Sequence, residues 1–245
     1  TNFLYRVLRL RIGQECLLLN NTNLAAIVAE DWPKDFKRLQ TSLPPWTLLM
    51  VISGMARRPE EKLHYEENIL SNVLRNEFPE IHLGDSLPGF PSLGKKLLPM
   101  LRKPWPREVT YWKNRYKGAC QSLFFITRPV LAPKFIDRVE EIAARHGYPI
   151  AEIGGYLQPI EHNRACQLEF NFFYNPANFP EVEKVRSLYR EATQALLNEG
   201  ALFTRPYGEL AKLVYGRAAG YTAVLRRVKK LFDPNNIMNP GKLCF

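Results

Sequence analysis

The ten residues ACQLEFNFFY, Ala165 to Tyr174, constrain the fold of this chain more than any other stretch. Cys166, Leu168, Phe170, Phe172 and Tyr174 fall on one side of an extended chain, and Gln167, Glu169, Asn171 and Phe173 on the other. A helix would scatter both sets around its circumference. The segment is therefore expected to be a strand whose apolar side packs on helices. Its second side has two readings. Antiparallel sheets commonly leave one face in water. Yet Gln158, Glu161, His162 and Arg164 gather just before the strand and bring an acid, a base and an imidazole to it, so the same face is equally able to roof a ligand.

The neighbouring segments supply the rest of a layered fold. Trp46 to Ser53 (WTLLMVIS) is a short apolar run ended by Gly54 and reads as a buried strand. Pro59 opens a helix with Glu60 and Glu61 in its first turn and an apolar stripe of Leu63, Leu70, Val73, Leu74 and Phe78. Pro79 ends it, and Glu80 to Leu83 is expected to begin another strand. The rhythm then repeats: strand at Ser122 to Thr127, helix from Ala132 to Arg145 closed by Gly147, strand at Ala151 to Ile160, then the alternating segment. A further amphipathic helix runs from Pro180 to Gly200, and YRVLRLRIG and a helix around Leu24 to Ala29 precede it all. Two β-α-β units imply an α+β fold, a ferredoxin-like antiparallel sheet with duplicated element order and helices on one face. Residues 1–200 are expected to form this body and 201–245 a C-terminal helical segment.

Charge is uneven. The chain carries a formal +10, and between Gly84 and Gly118 eight basic residues face only Asp85 and Glu108. That proline- and glycine-rich excursion also holds Trp105, Tyr111, Trp112 and Tyr116, and long ordered loops are more often functional than decorative. It suits a non-enzymatic binding module for nucleic acid or an acidic protein, an anionic cofactor, or a solvated loop. Against RNA, the alternating strand puts only Phe173 on its polar side, with Glu169 beside it to repel phosphate. Cys16, Cys120, Cys166 and Cys244 lack any C-x-x-C spacing, so buried free thiols are expected, with the C-terminal Cys244 as the exposed exception, and no metal site. No run approaches the roughly 18 apolar residues of a membrane span, and a cytoplasmic setting is expected.

The last 45 residues carry more restraint than a fraying terminus needs. Arg205 precedes Pro206, which favours an extended backbone there, and Tyr207 follows. A guanidinium and a phenol on a fixed loop suit a carboxylate, phenolate or phosphate, and a structural salt bridge is the competing account. Leu210, Val214, Ala218, Tyr221, Leu225, Val228 and Phe232 then recur at helical spacing, with Arg226, Arg227, Lys229 and Lys230 near the end. The chain finishes on FDPNNIMNPGKLCF.

This ending, with RPYGELAKLVYGRAAGYTAVLRRVKK and QPIEHNRACQLEFNFFYNP upstream, resembles FAD-linked oxidases of the vanillyl-alcohol oxidase and para-cresol methylhydroxylase type. The resemblance implies a cap domain: a large antiparallel sheet whose inner face roofs the flavin and substrate. It implies that Asn239, Gly241 and Lys242 form a turn contacting FAD, and that His162 lies where some relatives attach flavin covalently. In phenol-oxidising relatives a Tyr-Arg pair near LFTRPYG binds phenolate; here the pattern is Phe203-Thr204-Arg205, which keeps the arginine and also suits a carboxylate. Arg205, Tyr207 and His162 are then the catalytic candidates, with Gln158, Arg164, Glu169 and Asn171 toward substrate. The family's Gly/Ser-rich pyrophosphate loop has no counterpart here, so the resemblance implies a partner domain or subunit that holds most of the FAD. Under this reading the 84–118 excursion is a lid or inter-subunit contact with Trp105 and Trp112 partly buried, and a homodimer is allowed.

Overall fold

The computed structural model describes residues 2–84, 86–87, 97, 101–102 and 107–245, without the side chain of Glu209. Trp105 and Lys95, Lys96 and Lys103 lie outside the described residues. Among the described residues the strands are β1 (Glu15–Asn20), β2 (Trp46–Val51), β3 (Ala119–Thr127), β4 (Ile153–Ile160) and β5 (Ala165–Tyr174). They form one antiparallel sheet in the order β2-β1-β4-β5-β3.

Register carries the alternation of β5 across its neighbours. Phe170 lies opposite Leu123 and Gly155, and Leu168 opposite Phe125 and Leu157. These residues share one face and one core. The helices are α1 (Asn2–Arg9), α2 (Asn21–Val28), α3 (Lys34–Ser42), α4 (Pro59–Glu77), α5 (Trp112–Arg115), α6 (Ala132–Arg145), α7 (Phe179–Asn198), α8 (Gly208–Arg217) and α9 (Ala219–Phe232). Phe135, Val139 and Ile142 of α6 and Val185, Leu188 and Leu196 of α7 cover this first face. Phe125 meets Phe135 edge-on at 5.1 Å between ring centroids, a favoured aromatic geometry.

The second face is covered too, which corrects the expectation of helices on one side only. Phe173 shares a core with Leu17 and Leu19 of β1, Leu24 and Ile27 of α2, Phe36 of α3 and Trp112 of α5. Every residue of α2 after Asn21 is buried, as an all-round apolar helix must be. The seating of α2 depends on the side chain of Asn20. Asn20 caps the helix by accepting from Asn23 N at 3.0 Å, accepts from Gly155 N at 2.7 Å and donates to Ile153 O at 2.7 Å. Gly154 and Gly155 allow that approach: a Cβ on Gly155 would lie 2.7 Å from the Trp46 ring.

The first half is not a second copy of the β-α-β unit. β1 and β2 are antiparallel neighbours joined through α2 and α3, and Glu80–Leu83 is turn and coil rather than strand. The unit β3-α6-β4-β5-α7 is ferredoxin-like, and its sixth element is reduced to one bridge between Leu202 and Ile126. The helix expected from Tyr207 to Phe232 breaks at Ala218, whose ψ of 50° leaves the helical range. Among the described residues no helix is long and apolar enough to cross a membrane.

Candidate functional site

β3 is an edge strand, and a groove of about 660 Å³ runs along it. Cys120, Ser122 and Phe124 lie on the strand side, Val182, Val185, Arg186 and Tyr189 on α7, and Arg205, Tyr207 and Leu210 opposite. Pro206 is buried while Arg205 and Tyr207 are exposed, so the proline anchors a loop that presents both side chains to the groove. Phe203 points the other way and packs 5.6 Å from Phe125 in the core. The structure thus joins Arg205 with Tyr207 and separates both from the position upstream. Arg186 lies 3.7 Å from Glu183.

Behind the groove a chain of polar contacts crosses the sheet. Lys113 of α5 pairs with Glu169 and donates to Ser122 Oγ at 3.0 Å. Ser122 Oγ donates to Asn171 Oδ1 at 2.7 Å, and Asn171 Nδ2 donates to Asn23 Oδ1 at 3.3 Å. Asn171 is fully buried, so it holds Ser122 and α2 rather than facing an open pocket. Removing it strands Asn23 Oδ1 in an apolar surround, and a buried polar group left without a partner costs about 2 kcal/mol. Asn171→Ala is therefore expected to lower stability by about that amount in urea unfolding; an unchanged midpoint would count against the relay. Gln158, half-buried, accepts from Tyr156 at 2.8 Å on the same face.

The hairpin between β4 and β5 is a separate feature. Glu161, His162 and Asn163 have φ of 50°, 52° and 66°, in the left-handed region where asparagine and histidine are enriched and glutamate is uncommon. His162 and Arg164 are exposed. Asn163 between them is buried with both side-chain polar atoms unpartnered. No local pattern in the sequence marks this asparagine as inward-facing.

The C-terminal turn is built by a residue that the motif alone does not single out. Asp233, buried at the end of α9, accepts from Ile237 N at 2.9 Å and Met238 N at 2.8 Å and pairs with Lys229. The Lys229 ammonium holds its carboxyl below the ordinary range, helped by both backbone N–H groups. The turn then presents Asn239, Gly241 and Lys242 exposed, with φ of 50° at Asn239 and 71° at Gly241. Val224, Val228, Leu231, Phe232, Ile237 and Met238 are exposed beside them.

Among the described residues, three basic side chains of the excursion pair with acids of this chain. Arg102 pairs with Glu15 at 2.7 Å, Lys117 with Glu152 at 2.7 Å and Glu181 at 2.6 Å, and Lys113 with Glu169. Arg115 lies 5.3 Å over the Trp32 ring, and Trp112 is buried. The thiols of Cys16, Cys120 and Cys166 are each pushed up to about 12 by burial, which leaves them protonated and inert.

Residues 131–243 match the family described as FAD linked oxidases, C-terminal domain. No curated protein matches the chain. The fold is similar to that of p-cresol methylhydroxylase solved with substrate bound, at a TM-score of 0.65 and 15% identity over 98% of this chain and 49% of that one. It is also similar to 4-ethylphenol oxidase from Gulosibacter chungangensis, solved with isoeugenol, at a TM-score of 0.62 and 16% identity over 93% of this chain and 47% of that one. An alkyldihydroxyacetonephosphate synthase follows at a TM-score of 0.53 and 12% identity, over 99% of this chain and 42% of that one. The chain thus spans about half the length of each protein. The family match thus covers residues 131–243, which carry β4, β5 and the helices α6 to α9 and resemble the C-terminal domain of FAD linked oxidases.

Proposed function

We propose that this chain is the substrate-recognising cap of a flavin-dependent oxidoreductase, with FAD held mainly by a partner domain or subunit. The observation that carries the reading is the groove in which Arg205 and Tyr207 stand together against the β3 edge. A guanidinium lining the groove can orient an anionic group, and the phenol adds a donor beside it. The substrate class is an alcohol, 2-hydroxy acid or para-alkylphenol, bound through its carboxylate or phenolate. Lys113 and Asn171 hold Ser122 and Glu169 in place behind it. FAD supplies the hydride acceptor when bound.

The C-terminal turn fits contact with that cofactor. A Cβ on Gly241 would meet nothing within 4 Å, so another surface can approach its backbone closely, and Lys242 offers charge to an anion. The exposed apolar residues around the turn suit burial against the flavin-binding partner. His162, exposed on its hairpin, is the candidate for covalent flavin attachment, and Arg164 lies beside it.

Absorption spectra test the reading. The isolated chain is expected to be colourless, and joining it to its flavin-binding partner is expected to give a flavin band that substrate bleaches. Bleaching that needs no contribution from this chain would overturn the proposal. Within the assembled enzyme, Arg205→Gln is expected to raise KM about ten-fold, since a hydrogen bond to a charged group is worth roughly 1.5–3 kcal/mol. An unchanged KM would remove Arg205 from the site.

A further inference from the structure

In a β-α-β-β-α-β unit the last strand pairs along the outer edge of the first. Among the described residues that place holds one bridge. Ile126 exchanges both backbone bonds with Leu202, N–H to O at 2.8 Å and O to N–H at 3.0 Å, and the chain then turns away through Arg205 to Gly208. Because strand residues alternate, the groups of Phe124, Ser122 and Cys120 point outward like those of Ile126. Among the described residues none of these three has a backbone partner on that side. All three line the groove.

Edge strands are hazards that proteins usually blunt with proline, lysine, a bulge or a covering segment. β3 reads ACQSLFFIT and holds no proline and no charge. Its free edge from Cys120 to Phe124 is an open template about 17 Å long at roughly 3.4 Å per residue. Such an edge is best understood as paired in the working assembly.

We propose that an extended segment of the flavin-binding partner adds to β3 as the missing last strand of the ferredoxin-like unit. This rests on the reading of the chain as one half of a flavin enzyme. Five residues suffice, with main-chain bonds to Cys120, Ser122 and Phe124. Val182, Val185 and Tyr189 receive an apolar side chain from the segment. The exposed Arg205 on the groove disfavours basic residues there and opposes a second copy of this chain, which would bring its own Arg205 to the same place. The added strand would lie beside Arg205 and Tyr207 and close the groove on that side, so substrate recognition and assembly share one surface.

Hydrogen exchange resolved to single amides tests the inference. In the isolated chain the amides of Cys120, Ser122 and Phe124 are expected to exchange fast, and in the flavin-loaded enzyme about 100-fold more slowly. Phe124→Pro removes one outward donor while leaving the ladder to β5 intact, and is expected to restore fast exchange at Cys120 and Ser122 in the loaded enzyme. Three fast amides in an enzyme that holds flavin would overturn the inference and leave the functional reading standing. Slow amides that stay slow in the proline variant would also overturn it, since burial rather than pairing would then be the cause. Slowing that appears in the isolated chain as its concentration rises would name a second copy as the occupant and overturn it as well. An enzyme without a flavin band would overturn the functional reading and the inference with it.

Discussion

Gly154→Ala is expected to lower stability by about 3 kcal/mol, at the upper end of the cost of overpacking a core. An added Cβ would lie 2.0 Å from Asn23 Oδ1, 2.8 Å from Asn23 Cγ and 3.0 Å from Asn171 Cβ. Neither asparagine has room to retreat. Both are fully buried, and their side chains bond to each other. Relief therefore requires α2 to lift from the sheet, which opens the core of Leu17, Leu24 and Phe173. For a chain of this length the melting temperature should fall by roughly 10 °C. Gly200→Ala is the control: its φ is 94°, yet nothing lies within 4 Å of the added atom, so it costs only backbone strain of about 1 kcal/mol. Urea unfolding of both variants compares them directly. If Gly154→Ala unfolds within 1 kcal/mol of wild type, on the scale of ordinary substitutions, α2 is not seated as described.

Asp233→Ala is expected to release the C-terminal turn without unfolding the body. The carboxylate ties Ile237 N and Met238 N to the end of α9 through bonds of 2.9 and 2.8 Å. Around it the chain is exposed from Pro234 to Leu243, and the side-chain bonds that remain are those of Lys229 Nζ to Met238 O and of Arg226 Nε to Cys244 O, neither of which holds the two amides. Amide exchange at Ile237 and Met238 should rise roughly 100-fold, while that of the β5 ladder stays unchanged. Acid should act in the same direction. The folded state holds the Asp233 carboxyl below its ordinary value of 3.8. Its stabilisation is thus complete above the unfolded value and is lost as pH falls through the lower folded one. Asp233→Asn keeps the size but can accept through one oxygen only, and should fall between the two. Equal exchange in all three proteins would show that the turn is shaped elsewhere. Because Asn239, Gly241 and Lys242 follow directly, the same variants report on the proposed cofactor contact.

Much of the fold is visible in the chain before any contact is known. The alternation of β5 specifies a strand and the side that is buried, and the helix from Ala132 to Arg145 falls where its stripe and Gly147 place it. Periodicity works there because it is a local property of consecutive residues. It says nothing of which helix covers which face. Leu17 and Leu19 sit on the side of the sheet opposite Phe170, and only the register of β1 on β4 decides that. The apolar α2 follows them to that side.

The site divides in the same way. Arg205 beside Pro206 and Tyr207 is a sequence-level pattern, and it does present both side chains together. The Lys113–Ser122–Asn171–Asn23 chain joins residues up to 148 positions apart, and no spacing rule reaches that far. The tail motif announced a shaped turn, but its organiser, Asp233, is recognisable only once two amides four and five residues on are seen to point at it. The sequence by itself determined β2, β3, β4 and β5, the helices α4, α6 and α7, and the shaped terminus, because those depend on local alternation, capping and turn chemistry. The tertiary structure alone decided which faces are covered, which charges are paired inside the chain, and that among the described residues β3 keeps a free edge beside Arg205. Those follow from pairings between distant segments, where the free energy of burial rather than local preference selects the partner.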